Sequence, residues 1–188
     1  MRFLAIACVA ALVGCSTTAV APLKPATTFF NNIAKLCGKS FAGKLVAGDA
    51  SDADFAKADM FAHVRECSDT EMRIAFDVGE DASRTWIISK VGDGLRLKHR
   101  HMLKDGSEDP AYQYGGDTQD LGTSMRQEFP VDDFSKQMFV KEGRTVSTTN
   151  VWAFEIKSGT SLTYELSRSN RLFRVEFDLT KPLPNTKP

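Results

Sequence analysis

In FRVEFDL, Phe173 to Leu179, apolar and charged side chains alternate without a break. Phe173, Val175, Phe177 and Leu179 fall on one side, and Arg174, Glu176 and Asp178 on the other. A period of two is a strand with one face buried and one face wet, because successive side chains leave opposite faces. The pattern recurs in MRIAFDV, where Met72, Ile74, Phe76 and Val78 oppose Arg73 and Asp77. It recurs in SLTYEL through Leu162, Tyr164 and Leu166, and in NVWAFEI through Trp152, Phe154 and Ile156. One-sided burial repeated along a chain is the antiparallel habit.

The connectors agree. Asp93-Gly94, Asp105-Gly106 and Ser158-Gly159-Thr160 are hairpin signals. Two segments break the period. TTFFNNIAKLCG reads as a short helix with Phe29, Ile33 and Leu36 on one face, Thr27 or Thr28 as cap and Gly38 as stop. VDDFSKQMFVKEG reads as an inserted helix with Val131, Phe134 and Met138 on one face, Asp132 and Asp133 at its positive end and Gly143 closing it. About eight to ten strands joined mostly by hairpins suggest an up-and-down β-barrel, with a β-sandwich as the alternative. Thirteen Phe, two Trp and three Tyr supply the bulk for its core. The expected barrel domain covers residues 29–182, followed by a short flexible tail at 183–188.

The N-terminus carries an address. Arg2 precedes an apolar run from Phe3 to Val13, too short for the roughly 20 residues of a spanning helix but the length of a signal-peptide core. The run ends Leu12-Val13-Gly14-Cys15, which resembles the lipobox of bacterial lipoproteins. The resemblance implies removal of residues 1–14 and lipidation of Cys15. Two or three acyl chains hold firmly where one holds only marginally. By the same resemblance, Ser16 after the cysteine, rather than the Asp that retains such lipoproteins in the inner membrane, implies the outer membrane, with the domain facing the periplasm. Residues 15–28 then read as the lipidated cysteine and a flexible tether, rich in Ser, Thr, Ala and Pro, with a reach of roughly 40 Å.

Two of the four cysteines remain once Cys8 leaves with the signal and Cys15 takes the lipid. In an oxidising compartment Cys37 and Cys67 are expected to pair as a disulfide.

The order of an N-terminal helix, GKSFAGKLV and consecutive hairpins resembles the lipocalin and fatty-acid-binding superfamily in architecture. Its first-strand Gly-x-Trp is not present: Gly38-Lys39-Ser40-Phe41 stands nearest. The phrases RTW, LRLKH, YGGDT, RQEFP, STTNVW and RVEFDL resemble an uncharacterised exported-protein family of proteobacteria. That resemblance spans most of residues 37 to 180 and implies no chemistry.

LRLKHRH is where function is most legible. Leu95, Leu97, His99 and His101 share one face, and Arg96, Lys98 and Arg100 the other. Both histidines therefore continue the core face toward a barrel end. Tyr112 and Tyr114 alternate onto one face, and Asn150 lies on the side of Trp152. A polar and aromatic end to an apolar interior is the pattern of a small-ligand pocket. Three readings stay open for His99 and His101: hydrogen-bonded groups in a filled barrel end, polar contacts to an organic ligand, or ligands of a metal or haem. The last needs a third donor, and the sequence does not choose among His63, Asp105, Glu108 and Asp109.

Other chemistry finds no motif. Lys plus Arg equals Asp plus Glu at 24 each, and no basic stripe interleaves with aromatics, which argues against nucleic-acid binding. There is no G-x-S-x-G, HExxH or GxGxxG, and KDGSEDP lacks the spacing of a calcium loop. The expectation is a barrel without covalent chemistry and without a resident cofactor, binding a small apolar or amphipathic molecule. Met72, Ile74, Phe76, Leu95, Leu97, Trp152, Phe154, Phe173 and Phe177 would form the wall, with His99, His101 and Tyr114 at its polar end. The alternative is a structural or interaction lipoprotein of the cell envelope with a filled core.

Overall fold

A computed structural model describes residues 24–183. The expected signal peptide, Cys15 and most of the expected tether lie outside the described residues. Ten strands form a single antiparallel sheet: β1 (Ser40–Ala47), β2 (Met60–Cys67), β3 (Glu71–Val78), β4 (Asp81–Val91), β5 (Gly94–His101), β6 (Tyr114–Asp117), β7 (Arg126–Pro130), β8 (Val151–Lys157), β9 (Ser161–Arg168) and β10 (Arg171–Asp178). Each strand pairs with its sequence neighbour except at one place. β1 pairs with β10, and the sheet curls into a nearly closed barrel whose seam lies between β6 and β7.

Glycine closes that seam. A Cβ on Gly116 would stand 1.7 Å from the Pro130 carbonyl oxygen, so only glycine permits the approach of β6 to the end of β7. Helix α3 (Asp133–Lys141) satisfies the exposed backbone edge. The Ser135 hydroxyl accepts from the Gly115 amide at 2.8 Å and donates to the Gly115 carbonyl at 3.2 Å, and the Asp132 amide donates to that same carbonyl. This arrangement decides which face of α3 is buried. Ser135 and Phe139 point inward, and Phe134, expected on the core face, is 56% exposed.

Helix α1 (Pro25–Ala34) packs into one end, burying Ala26, Phe29, Phe30 and Ile33. It starts at Pro25, earlier than the expected Thr27 or Thr28 cap. Proline at the first turn has its φ pre-set and gives up only an amide that has no helical partner. Thr28 instead turns its hydroxyl back to the Lys24 carbonyl. Gly38, at φ +77°, ends the segment as expected. At the other border Leu183, expected in the tail, pairs through its amide with the Ser40 carbonyl.

Cys37 and Cys67 are joined as a disulfide, which ties the turn after α1 to the end of β2. The β4–β5 turn is Gly92-Asp93, one residue earlier than the expected Asp93-Gly94, because Gly92 takes the positive φ and Gly94 pairs with Val91. Asp105-Gly106 sits within the long β5–β6 connection rather than in a two-strand hairpin. The outer face is wet and charged: Arg126 and Arg174 both pair with Glu165 at 2.8 Å, and Arg174 also pairs with Glu155.

The interior is one continuous apolar cluster running from α1 through all the long strands. Phe29, Phe30, Phe41, Phe129, Trp152, Phe154 and Phe177 are all fully enclosed. Among the described residues no helix is long and apolar enough to cross a membrane.

Candidate functional site

Strand register sorts the barrel interior into rows. Nearest α1, Met72, Ile88, Leu97 and Gly116 stand side by side on β3 to β6. The next row is Ile74, Trp86, His99 and Tyr114, and the last is Phe76, Arg84 and His101. Polarity rises from row to row, so the histidines do continue the core face toward one barrel end, away from α1.

His99 is 3% exposed and lies flat on Tyr114, ring centroids 4.5 Å apart, with Trp152 behind at 5.0 Å. Its Nδ1 is 3.1 Å from the Tyr114 carbonyl oxygen, which can only accept. Nδ1 therefore carries the proton. Nε2 is left as an acceptor for the Tyr164 hydroxyl at 2.9 Å. Burial pushes the His99 imidazole down to about 3 and the Tyr114 phenol up to about 12, so both are neutral at physiological pH. His101 Nε2 meets the Tyr114 hydroxyl at 2.9 Å. Burial, then the neighbouring Arg84 charge, lowers the His101 pKa.

A pocket of about 160 Å³ opens at this end of the barrel. Phe76, Trp86, Tyr164 and Phe173 form its floor and walls, and Arg84 and His101 stand at its rim. The segment between β1 and β2 covers part of the mouth. It is a 3-10 turn, Ala50–Asp52, followed by helix α2 (Ala53–Lys57). Phe55 of α2 sets its ring edge against Phe173 at 5.0 Å. Asp52 takes a bidentate ion pair from Arg171, which also reaches Asp49 at 2.8 Å. The Arg171 hydrogen bond holds the Asp52 carboxyl below its usual range.

Of the residues expected at a ligand site, His99, His101 and Tyr114 come together on this pocket. Tyr112 does not: it is 38% exposed, because Gln113 adopts φ +58° and breaks the alternation before β6 begins. Trp152 is core, packed behind His99 and Tyr114. Asn150 is buried where β8 begins, accepting a hydrogen bond from Arg168 at 3.1 Å. Of the expected apolar wall, only Phe76 and Phe173 line the pocket. Met72, Ile74, Leu95, Leu97, Phe154 and Phe177 are spent on the filled core.

Arg84 and Trp86 share parity in RTW and so face inward together, a signal present in the sequence itself. Asp52, Phe55 and Arg171 carry no local signal, because what joins them is a contact across more than a hundred residues. A further polar chain crosses β1, β2 and β3: Ser40 Oγ lies 2.7 Å from His63 Nδ1, and His63 Nε2 lies 3.1 Å from Asp77 Oδ2. Ser40 is 1% exposed, so this chain is laid out as buried structure rather than as a nucleophile open to a substrate.

The metal reading meets two obstacles. Among the described residues no three His, Cys, Asp or Glu side chains gather closely enough to hold an ion. Both ring nitrogens of His99 are already engaged. Compared with family models, curated proteins and solved structures, the chain matches none.

Proposed function

We propose that this is an exported, lipid-anchored barrel with a filled core that serves as a structural or interaction component of the cell envelope, and that it is not a carrier of long apolar molecules. The filled core carries the reading. A chain-like lipid needs a cavity of several hundred Å³, in the range of about 300–1,000 Å³ typical of ligand sites. The mouth pocket offers about 160 Å³. The anchor rests on the Leu12-Val13-Gly14-Cys15 motif, and the Cys37–Cys67 bridge is in keeping with an oxidising compartment. Membrane attachment through Cys15, an outer-membrane address and the periplasmic orientation are parts of this proposal.

Two measurements test it. The intact mass of the full-length chain expressed in a bacterium should lack residues 1–14 and carry acyl groups that a Cys15→Ser variant does not. Organic extraction of the purified protein should release no stoichiometric long-chain molecule beyond those covalent groups.

A second reading is favoured by the mouth pocket itself. It is a place for one small molecule, bordered by Tyr164, Phe173 and Phe55 of the α2 cover.

A further inference from the structure

Exposed apolar side chains occur in several places on this barrel. Phe134 and Val140 stand on α3, and Leu103 and Leu172 lie toward the mouth. Leu121 and Met125 lie at the opposite end, beside α1. Strand β6 runs from Tyr114 through Gly116 toward α1, so the β6–β7 connection leaves the sheet there. Asn32 of α1 fixes the place, its side-chain amide donating to the Ser124 carbonyl at 3.3 Å.

This connection is held from within. Gln127 is fully enclosed, and its amide nitrogen donates to the Leu121 carbonyl at 3.2 Å and the Thr123 carbonyl at 2.8 Å. The Thr123 hydroxyl accepts from the Arg126 amide, and the Asp120 carboxylate from the Gly122 amide, both at 2.8 Å. With the backbone fixed in this way, Leu121 and Met125 are each more than half exposed. An apolar pair held outward by such bonds leaves water by meeting another surface, not by folding back onto the core.

Attachment chooses among the exposed faces. Nine residues, Ser16 to Lys24, would join an acylated Cys15 to the domain, a reach of at most about 30 Å. Lys24 ends that run at the α1 end, ion-paired with Asp93 in the β4–β5 turn. The mouth lies a strand further away, about 25 Å for the eight residues of β3. Laying the mouth on the bilayer would use nearly the whole reach, and laying the α1 end on it uses little. The exposed Lys35 suits a headgroup layer. Its ammonium rests on the Asn32 side-chain oxygen at 2.9 Å and pairs with no carboxylate among the described residues, so it can meet a lipid phosphate.

We infer that the α1 end of the barrel docks on the phospholipid bilayer that holds the anchor, with Leu121 and Met125 entering the interface and Lys35 at the phosphates. This rests on the reading of Cys15 as the lipidated residue.

The test is a depth measurement by spin labelling, on the full-length chain after processing, in vesicles of phosphatidylethanolamine and phosphatidylglycerol. Leu121→Cys, Met125→Cys, Leu103→Cys and Val140→Cys are made singly, all at exposed positions outside the core. With Cys37 and Cys67 bridged and Cys15 acylated, the new thiol is the one that takes the nitroxide. Collision rates with oxygen and with a water-soluble nickel chelate report its depth. The labels at Leu121 and Met125 should lie about 5–10 Å inside the headgroup boundary, and those at Leu103 and Val140 in water. Labels at Leu121 and Met125 that read as water, on a chain that floats with the vesicles, would overturn the docking and leave the anchor standing. Depth at Leu103 or Val140 in their place would do the same. A chain that does not float with the vesicles would overturn the anchor and the docking with it.

Discussion

Tyr164 Oη stands 2.9 Å from His99 Nε2, bridging the barrel interior from β9 to β5. Together with the Tyr114 carbonyl on Nδ1, it holds the imidazole in one tautomer and leaves neither ring nitrogen for a metal. The bond is a test of the whole histidine end. Tyr164→Phe keeps the ring and removes the donor, leaving a buried acceptor unpaired. The variant should lose about 1–3 kcal/mol of unfolding free energy, measured by urea titration. Loss of less than a few tenths would mean that Nε2 finds another partner.

His99 should also shape the response to acid. Its native pKa is held down to about 3 by burial, below the value of about 6.5 for a free imidazole. The unfolded chain therefore takes up a proton below about pH 6.5 that the native state refuses. Stability from this group is full above about pH 6.5 and is lost progressively as the pH falls toward 3. Between pH 7 and pH 5 the loss amounts to about 2 kcal/mol. His101, also lowered, acts in the same direction. Urea unfolding at the two pH values should show that much more acid sensitivity in the wild type than in His99→Gln.

The seam between β6 and β7 depends on a missing methyl. In Gly116→Ala the new carbon would overlap the Pro130 carbonyl, a backbone atom that cannot swing aside. The two edges must then part, and the Ser135 bonds to Gly115 go with them. A destabilisation above about 2 kcal/mol is expected in thermal or urea unfolding. Gly106, where a Cβ would meet nothing, is a poor control because its φ is +85°; Ala42→Ser on the exposed face of β1 should be nearly neutral.

The Cys37–Cys67 bridge spans a sequence separation of 30, and in the chain-entropy account a loop of that size contributes about 3–4 kcal/mol. Reduction, or the double change Cys37→Ser with Cys67→Ser, should lower the unfolding midpoint accordingly. A thiol count on the unfolded, unreduced chain should find neither cysteine free.

The strand faces were legible because burial imposes a period of two, and Phe173, Val175 and Phe177 could be read inward with no knowledge of their neighbours. His99 and His101 followed from the same parity. Elements whose burial is decided by a distant partner were not legible. In α3, Phe134 with Met138 and Ser135 with Phe139 both fit a helical stripe. Ser135 faces in because Gly115 on the seam needs its hydroxyl, and Phe134 lies outside under the Lys98 ammonium. Tyr112 failed because a single positive φ at Gln113 reverses the face of what precedes it. The α2 cover was invisible because Asp52 and Phe55 acquire their roles only from Arg171 and Phe173. The same limit applies to the filled interior, since a cavity wall and a packed core write the same alternation.

The most direct test of the filled barrel is native mass spectrometry of the full-length chain, released from detergent, with and without added palmitate. A filled core predicts the mass of the polypeptide with its covalent groups and no further adduct, because the interior has room for a ring and not for an alkyl chain. A saturable adduct of one palmitate per chain would contradict it and restore the barrel as a carrier.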